Sequence, residues 1–244
     1  MTTAEPTRKA ARQKAGRRSN LTRNDVVVAA IELIDEDGLD GFTMRALAER
    51  LNVYPTALYW HAGSKSELLA AASSRVLDDV RLPDEHQMAW DEWVKEVAHR
   101  CRHALHRHPE IAMVAGSKMV VAATAMPMVE RLLGVLERAG FQKTGLLDAY
   151  NTIIGYILGW TTLELSAEPA GVTAAWREEF ASEMRDLDPN AYPAVTRNQE
   201  TFENNAFMMR YESGRTRPMD RSFTVGLDAV IRGLATQLEE SSDT

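Results

Sequence analysis

The stretch Asp40-Gly41-Phe42-Thr43-Met44-Arg45-Ala46-Leu47-Ala48-Glu49-Arg50-Leu51-Asn52-Val53-Tyr54-Pro55-Thr56-Ala57-Leu58-Tyr59-Trp60-His61 decides the fold, because it holds two helix starts in close succession. Thr43 is a helix cap, and Met44, Leu47, Ala48 and Leu51 follow at helical spacing. Asn52-Val53 supplies a short turn. Pro55 suits the first turn of the next helix, where its missing N–H costs nothing. The pattern predicts a helix over 43–51, a turn of two or three residues and a very short helix over 54–61. Ala48 is small enough to let the two helices approach, and Val53 and Leu58 fill the angle between them. This is helix-turn-helix geometry, in which a short recognition helix presents a few side chains to base edges in the major groove. Tyr54, Thr56 and Ala57 are then free to face bases, with Pro55 setting the start of their helix. Tyr59, His61 and Lys65 face phosphates or neighbouring bases, and Arg45 has the reach to read a guanine. The competing reading is an ordinary helical hairpin inside a core.

Upstream, Thr22 and Asp25 mark the start of a helix, and Leu21 can staple to Val26. Val27, Ala30, Ile31 and Ile34 form its apolar face, and Gly38 is its expected left-handed stop. Downstream, Ser64-Lys65-Ser66-Glu67 is a capping box for a helix through about Asp79, broken by Arg81-Leu82-Pro83. We therefore expect a DNA-binding domain over 22–82 and a second domain over 83–244, preceded by a basic disordered arm over 1–21. The charge supports that division. The chain is at −7, yet residues 1–24 carry seven basic groups and one acid, so the remainder carries −13. A basic arm on an acidic body suits a polyanionic partner, although a merely solvated tail would look the same.

The rest of the chain reads as helix after helix, without strand-like alternation or hairpin turns, so the fold class is all-α. Helices are expected over 90–108, 111–121, 126–139, 146–165, 195–209 and 220–239, with a weak one over 176–184 and a loop over 212–218. No apolar run is long enough to span a membrane, and residues 1–20 lack the apolar centre of a signal peptide, so a cytoplasmic protein without a membrane partner is expected. The single cysteine, Cys101, excludes an internal disulfide framework.

The quoted stretch from Asp40 to Val53, with Ala57-Leu58-Tyr59-Trp60-His61 and Lys65-Ser66-Glu67-Leu68-Leu69, resembles the TetR family of repressors in order and spacing. The resemblance implies that Arg45, Thr56, Ala57, Tyr59, His61 and Lys65 lie at the DNA surface and that Trp60 is largely structural. Residues 223–234 and 154–159 are similar to the C-terminal domain of the tetracycline repressor class. The start of the recognition helix, Tyr54-Pro55-Thr56-Ala57, departs from the tetracycline repressor's combination, so its operator sequence does not carry over.

Residues 149–163 are uncharged throughout, and a helix apolar on most sides must be buried on several. The last helix has a stripe at Phe223, Leu227, Val230, Ile231, Leu234 and Leu238, with Gly226 and Gly233 permitting close contact. Pairing both helices with their symmetry mates gives a four-helix homodimer interface, and two-fold symmetry then asks for a palindromic DNA operator. Burial within a monomer is the other possibility. For a small-molecule effector, the soft and aromatic side chains Met113, Met126, Tyr156, Trp160 and Phe207 are candidates, as is Glu164 on its otherwise uncharged helix. Met119, Met128, Met208 and Met209 share that character, and core packing is the alternative for each. His99, His103 and His106 fall opposite the apolar arc of their helix and are expected on a solvated face; only His108 points inward. The family's magnesium-binding histidine aligns near Val114-Ala115. No metal or cofactor is therefore expected, and the effector should be bulky and largely apolar.

No nucleophile–base–acid spacing, glycine-rich phosphate loop or metal-ligand cluster points to an enzyme. The expected function is that of a ligand-responsive dimeric repressor. An activator of the same fold, or a helical ligand-binding protein without DNA function, are the alternatives.

Overall fold

The structure, a computed structural model, describes residues 21–118, 125–166 and 173–242. The basic arm, Met119 and the break at residues 169–171 lie outside the described residues. Among those described, every regular element is a helix.

Helix α1 (Arg23–Gly41) starts at the capping box foreseen at Thr22, whose hydroxyl accepts from the Asp25 N–H at 3.1 Å while the Asp25 carboxylate accepts from the Thr22 N–H at 2.9 Å. These bonds hold the Asp25 carboxyl below its usual pKa. Gly38, at φ 73° and ψ 172°, kinks the helix where the stop was expected. Helix α2 (Met44–Arg50) is capped by the Thr43 hydroxyl. It ends in a Schellman motif, with the Val53 N–H donating to the Ala48 carbonyl and the Asn52 N–H to that of Glu49. The motif needs a left-handed residue, and Asn52 supplies it at φ 53°. Helix α3 (Pro55–Ala62) follows at once, and Ser64 with Glu67 forms the second capping box, opening α4 (Lys65–Asp78). Helix α4 is buried on most of its circumference, from Leu68 through Ser74 and at Val76.

Helix α5 (Trp90–Arg107) buries Val94, Val97, Cys101, Ala104 and Leu105 along its expected apolar arc; Trp90, expected there too, is half-buried, and Trp93 is buried instead. Its opposite face is less solvated than expected: His103 is exposed, but His99 and His106 are half-buried. Helix α6 (Pro109–Lys118) begins two residues early, because Pro109 both ends α5 and serves as a helix first residue. Helices α7 (Met126–Ala139) and α8 (Lys143–Leu165) follow, and Gly140, in the left-handed region at φ 111°, ends α7.

Compactness divides the chain between Tyr150 and Asn151, inside α8, whereas a functional boundary was expected near residue 82. The reason is that α6 packs against both α1 and α4, so the head and the helices after it form one unit. The connection over 81–89 is itself tied down. The Pro83 carbonyl accepts from the indole of fully buried Trp93 at 3.1 Å and from Arg131 at 2.6 Å, and Arg131 also pairs with Glu85.

The second unit holds the rest of α8 with α9 (Ala174–Arg185), α10 (Pro193–Phe202), a 3₁₀ turn (Phe207–Met209) and α11 (Asp220–Ser242). The helix expected over 195–209 is broken, since Asn204 sits at φ 56° and its buried carboxamide accepts from the Tyr211 and Glu212 N–H groups. The N-terminal helix of the pair α9 and α10 buries only Ala181 and the other buries nothing, whereas α11 inserts Phe223, Leu227, Ile231 and Leu234 into the core.

Candidate nucleic-acid interface and effector core

The short helix α3 is oriented by what it buries. Leu58 and Ala62, one turn apart, are closed to solvent together with Val53. At about 100° per residue, Thr56 and Trp60 then point the opposite way, with Tyr59 beside them. Tyr54, Pro55, Thr56, Tyr59 and Trp60 are all exposed, and Ala57 and His61 are half-buried at the edges of that face. Trp60 corrects the sequence reading. It was expected to be structural, and it is 90% exposed, because the inward positions on a two-turn helix are already taken by Leu58 and Ala62. Its two-position offset from Leu58 was the available signal.

Arg45 stands exposed on α2, held only by Glu49 at 3.2 Å, an exposed pair of little strength. Arg50 behaves differently. Both terminal nitrogens reach the Glu36 carboxylate at 2.6 Å, and one also reaches Glu32 at 3.3 Å, so it clamps α2 onto α1. The pairing raises the pKa of Arg50 and lowers that of Glu36. Lys65 is partly committed as well. Its ammonium donates to the Phe42 carbonyl at 2.6 Å and lies 5.2 Å from the centroid of that ring, fixing the start of α4 to the α1–α2 junction. One of its three donors is used in this way.

At the end of α5, the His108 ring nitrogen Nδ1 lies 2.7 Å from an Asp35 carboxylate oxygen, so the helix end is bonded to α1 of the head. Among the described residues no group of three or more His, Cys, Asp or Glu side chains converges to hold a metal. No helix among them is long and apolar enough to cross a membrane.

In the second unit, three of the expected effector residues come together around Phe223. Trp160 packs edge-on to Phe207 at 4.8 Å between centroids and lies 5.6 Å from Tyr156 and 6.0 Å from Phe223. The Tyr156 hydroxyl donates to the Phe223 carbonyl at 2.7 Å. Gly226 makes this possible, since a Cβ there would stand 2.3 Å from that hydroxyl. The close contact expected at Gly226 is, within the chain, that with Tyr156 of α8. Gly233, by contrast, faces open space.

Glu164, the remaining effector candidate of α8, is engaged by the fold. It is 1% exposed, and its carboxylate accepts from the Met219 N–H at 2.5 Å, while its backbone carbonyl accepts from the Gly214 N–H at 3.0 Å. It thus anchors the 212–218 loop and the start of α11. Arg210 donates to the Arg217 and Glu212 carbonyls at 2.7 and 3.3 Å. Burial lowers its pKa, and the Glu164 charge opposes that shift. Met113, half-buried in α6, and Met126, 43% exposed at the start of α7, belong to the first unit.

The exposed residues of α8 and α11 include small or apolar ones, Gly155, Gly159 and Leu163 on one and Val225, Ala229 and Gly233 on the other, beside polar ones such as Asn151, Thr152, Arg221 and Arg232.

Known proteins agree with this architecture. A family model described as bacterial regulatory proteins, tetR family, matches residues 26–72, and one described as tetracyclin repressor-like, C-terminal domain, matches residues 82–238. An HTH-type transcriptional regulator of Saccharopolyspora erythraea is 32% identical over 181 residues, 73% of this chain and 75% of its own. The fold is that of ActR from Streptomyces coelicolor, solved with actinorhodin, at a TM-score of 0.72 and 24% identity over 89% of this chain and 98% of that one. BioQ, solved with its natural double-stranded DNA operator, is similar at a TM-score of 0.59 and 26% identity, covering 89% and 99%. From its head through its C-terminal helices, this chain belongs to the TetR family of transcriptional regulators.

Proposed function

We propose that the protein is a homodimeric repressor that binds a palindromic operator and leaves it when a small, largely apolar effector binds the C-terminal region. The observation that carries the DNA reading is the exposed edge of α3, where Thr56, Tyr59 and Trp60 project from a helix locked by Leu58 and Ala62. Arg45, Tyr54, Pro55, Ala57, His61 and Lys65 flank that edge. BioQ, related in sequence and fold, is a DNA-operator binder by its own structure. The exposed small and apolar residues of α8 and α11 favour pairing with a second copy, which places two recognition helices on one duplex. An operator of two half-sites about one turn, ~34–36 Å, apart follows.

Effector control needs a ligand that distinguishes two states of the dimer. The aromatic cluster at Trp160 supports such a site in the second unit. In the first unit, α6 packs on both α1 and α4, and His108 is bonded to Asp35, so a shift of α5 or α6 is carried to the head. The functional boundary then lies near residue 82, the protein acts in the cytoplasm, and the basic arm adds phosphate contacts. Anisotropy titration of a labelled operator with and without ligand tests the proposal. Weaker operator binding at saturating ligand is expected; operator affinity unchanged by every ligand shown to bind would refute effector control.

A further inference from the structure

The aromatic cluster contains a donor that the fold does not use. The indole Nε1–H of Trp160 is buried and has no hydrogen-bond partner among the described residues. Two polar groups nearby are already engaged: the Tyr156 hydroxyl donates to the Phe223 carbonyl, and the Glu164 carboxylate, one turn along α8 from Trp160, accepts from the Met219 N–H. A second unused donor belongs to the same region. Arg210 follows the Phe207–Met209 turn whose first ring packs on Trp160. Its Nε and Nη2 hold the Glu212 and Arg217 carbonyls, but Nη1 is buried and has no hydrogen-bond partner among the described residues. Arg210 holds the Arg217 carbonyl, and the Gly214 N–H of the same loop donates to the Glu164 carbonyl, so Arg210 is tied to the same stretch of α8. Buried donors left unpaired are uncommon and mark places where an acceptor belongs.

We propose that the effector is a flat aromatic molecule carrying an anionic oxygen, an aromatic carboxylate or phenolate, seated against the Trp160, Phe207 and Phe223 rings with its oxygens accepting from Trp160 Nε1–H and Arg210 Nη1–H. The rings supply the apolar contact, and the two donors fix the orientation. A neutral indole N–H donates to any oxygen acceptor; the guanidinium selects a negative one. A cationic ligand is disfavoured by both. The inference rests on the effector reading above and names the chemistry of that site.

The test uses the full-length dimer and three probes: 2-naphthoate, its neutral methyl ester and 1-naphthylmethylammonium. Binding is followed by the indole ¹H–¹⁵N resonances, that of Trp160 being assigned by its loss in Trp160→Phe, which keeps an aromatic ring while removing the donor and part of the ring area. The expected order is naphthoate, then ester, then ammonium. Naphthoate should move the Trp160 resonance and lose about tenfold in affinity in Trp160→Phe. Arg210→Lys, which keeps the positive charge, should reduce the preference for naphthoate over its ester. Failure of naphthoate to bind at millimolar concentration overturns the proposal, as do equal affinity in Trp160→Phe and tightest binding by the ammonium. So does a Trp160 resonance already hydrogen-bonded in the free dimer and altered on dissociation, which would give the donor to the partner subunit. Operator affinity is measured in the same samples. Naphthoate bound through Trp160 without operator release would refute effector control and leave the donor site standing.

Discussion

Replacing Trp60 by alanine separates an interface role from a structural one. The side chain is 90% exposed, so its removal costs the folded head almost nothing. Surface substitutions of this kind stay within about 0.5 kcal/mol, and alanine is the better helix former by roughly 0.5 kcal/mol. Melting temperature should therefore hold or rise slightly. On an operator the same side chain becomes covered. A tryptophan offers about 150–250 Å², and covering half of it, at about 25 cal/mol per Å², is worth about 2–3 kcal/mol. Fixing the side chain returns about 0.5–1.5 kcal/mol, which leaves about 1–2 kcal/mol per recognition helix. Two helices on one operator give about 2–4 kcal/mol, a loss of roughly thirtyfold to several hundredfold in Kd. Anisotropy with a labelled operator reads the affinity, and thermal unfolding of the same sample reads the stability. A drop of many degrees in Tm would show that Trp60 packs after all; unchanged Tm with unchanged affinity would remove α3's outer edge from the interface.

Thr43→Ala deletes the α2 cap, whose hydroxyl accepts the Ala46 N–H at 3.0 Å, and should cost about 1 kcal/mol in urea unfolding; no loss would mean that the cap is satisfied otherwise. Cys101 is buried and its thiol is pushed up to about 12, so at pH 8 a thiol reagent should label it only as fast as the first unit opens, and rapid labelling of native protein would contradict the packing of α5. Arg131 holds the Glu85 carboxyl below its usual pKa. Its stabilising contribution is present above the unfolded value of about 4.3 and lost as pH falls through the lower folded value. Glu85→Gln should therefore flatten part of the acid decline in urea midpoint below about pH 4.5, and an unchanged acid limb would argue against the pair.

Local chemistry made much of the head legible. Thr22 with Asp25, Thr43, Ser64 with Glu67, and Pro55 are short-range signals whose partners lie within three residues, and each acts where it was placed. The turn at Asn52 was visible, but not the Schellman bonding that makes its left-handed conformation necessary. Trp60 was misread because family likeness outweighed the helical angle, which sets it opposite Leu58. Long-range contacts were the hardest to foresee. Nothing local shows that Glu164 meets Met219, that Gly226 makes room for Tyr156, or that Lys65 reaches back to Phe42. The effector residues were named by type, as soft or aromatic side chains, and type alone could not sort Tyr156, Trp160 and Phe207, which cluster, from Met113 and Met126, which belong to the first unit.

In vitro selection of duplex DNA by the purified full-length protein, followed by measurement of the mass of the complex on the winning sequence, tests the central claim most directly. The expected product is a two-fold symmetric site whose half-sites are centred about one helical turn apart, or a small multiple of it, bound by two chains. Enrichment of no sequence, or of an asymmetric site bound by a single chain, would contradict it.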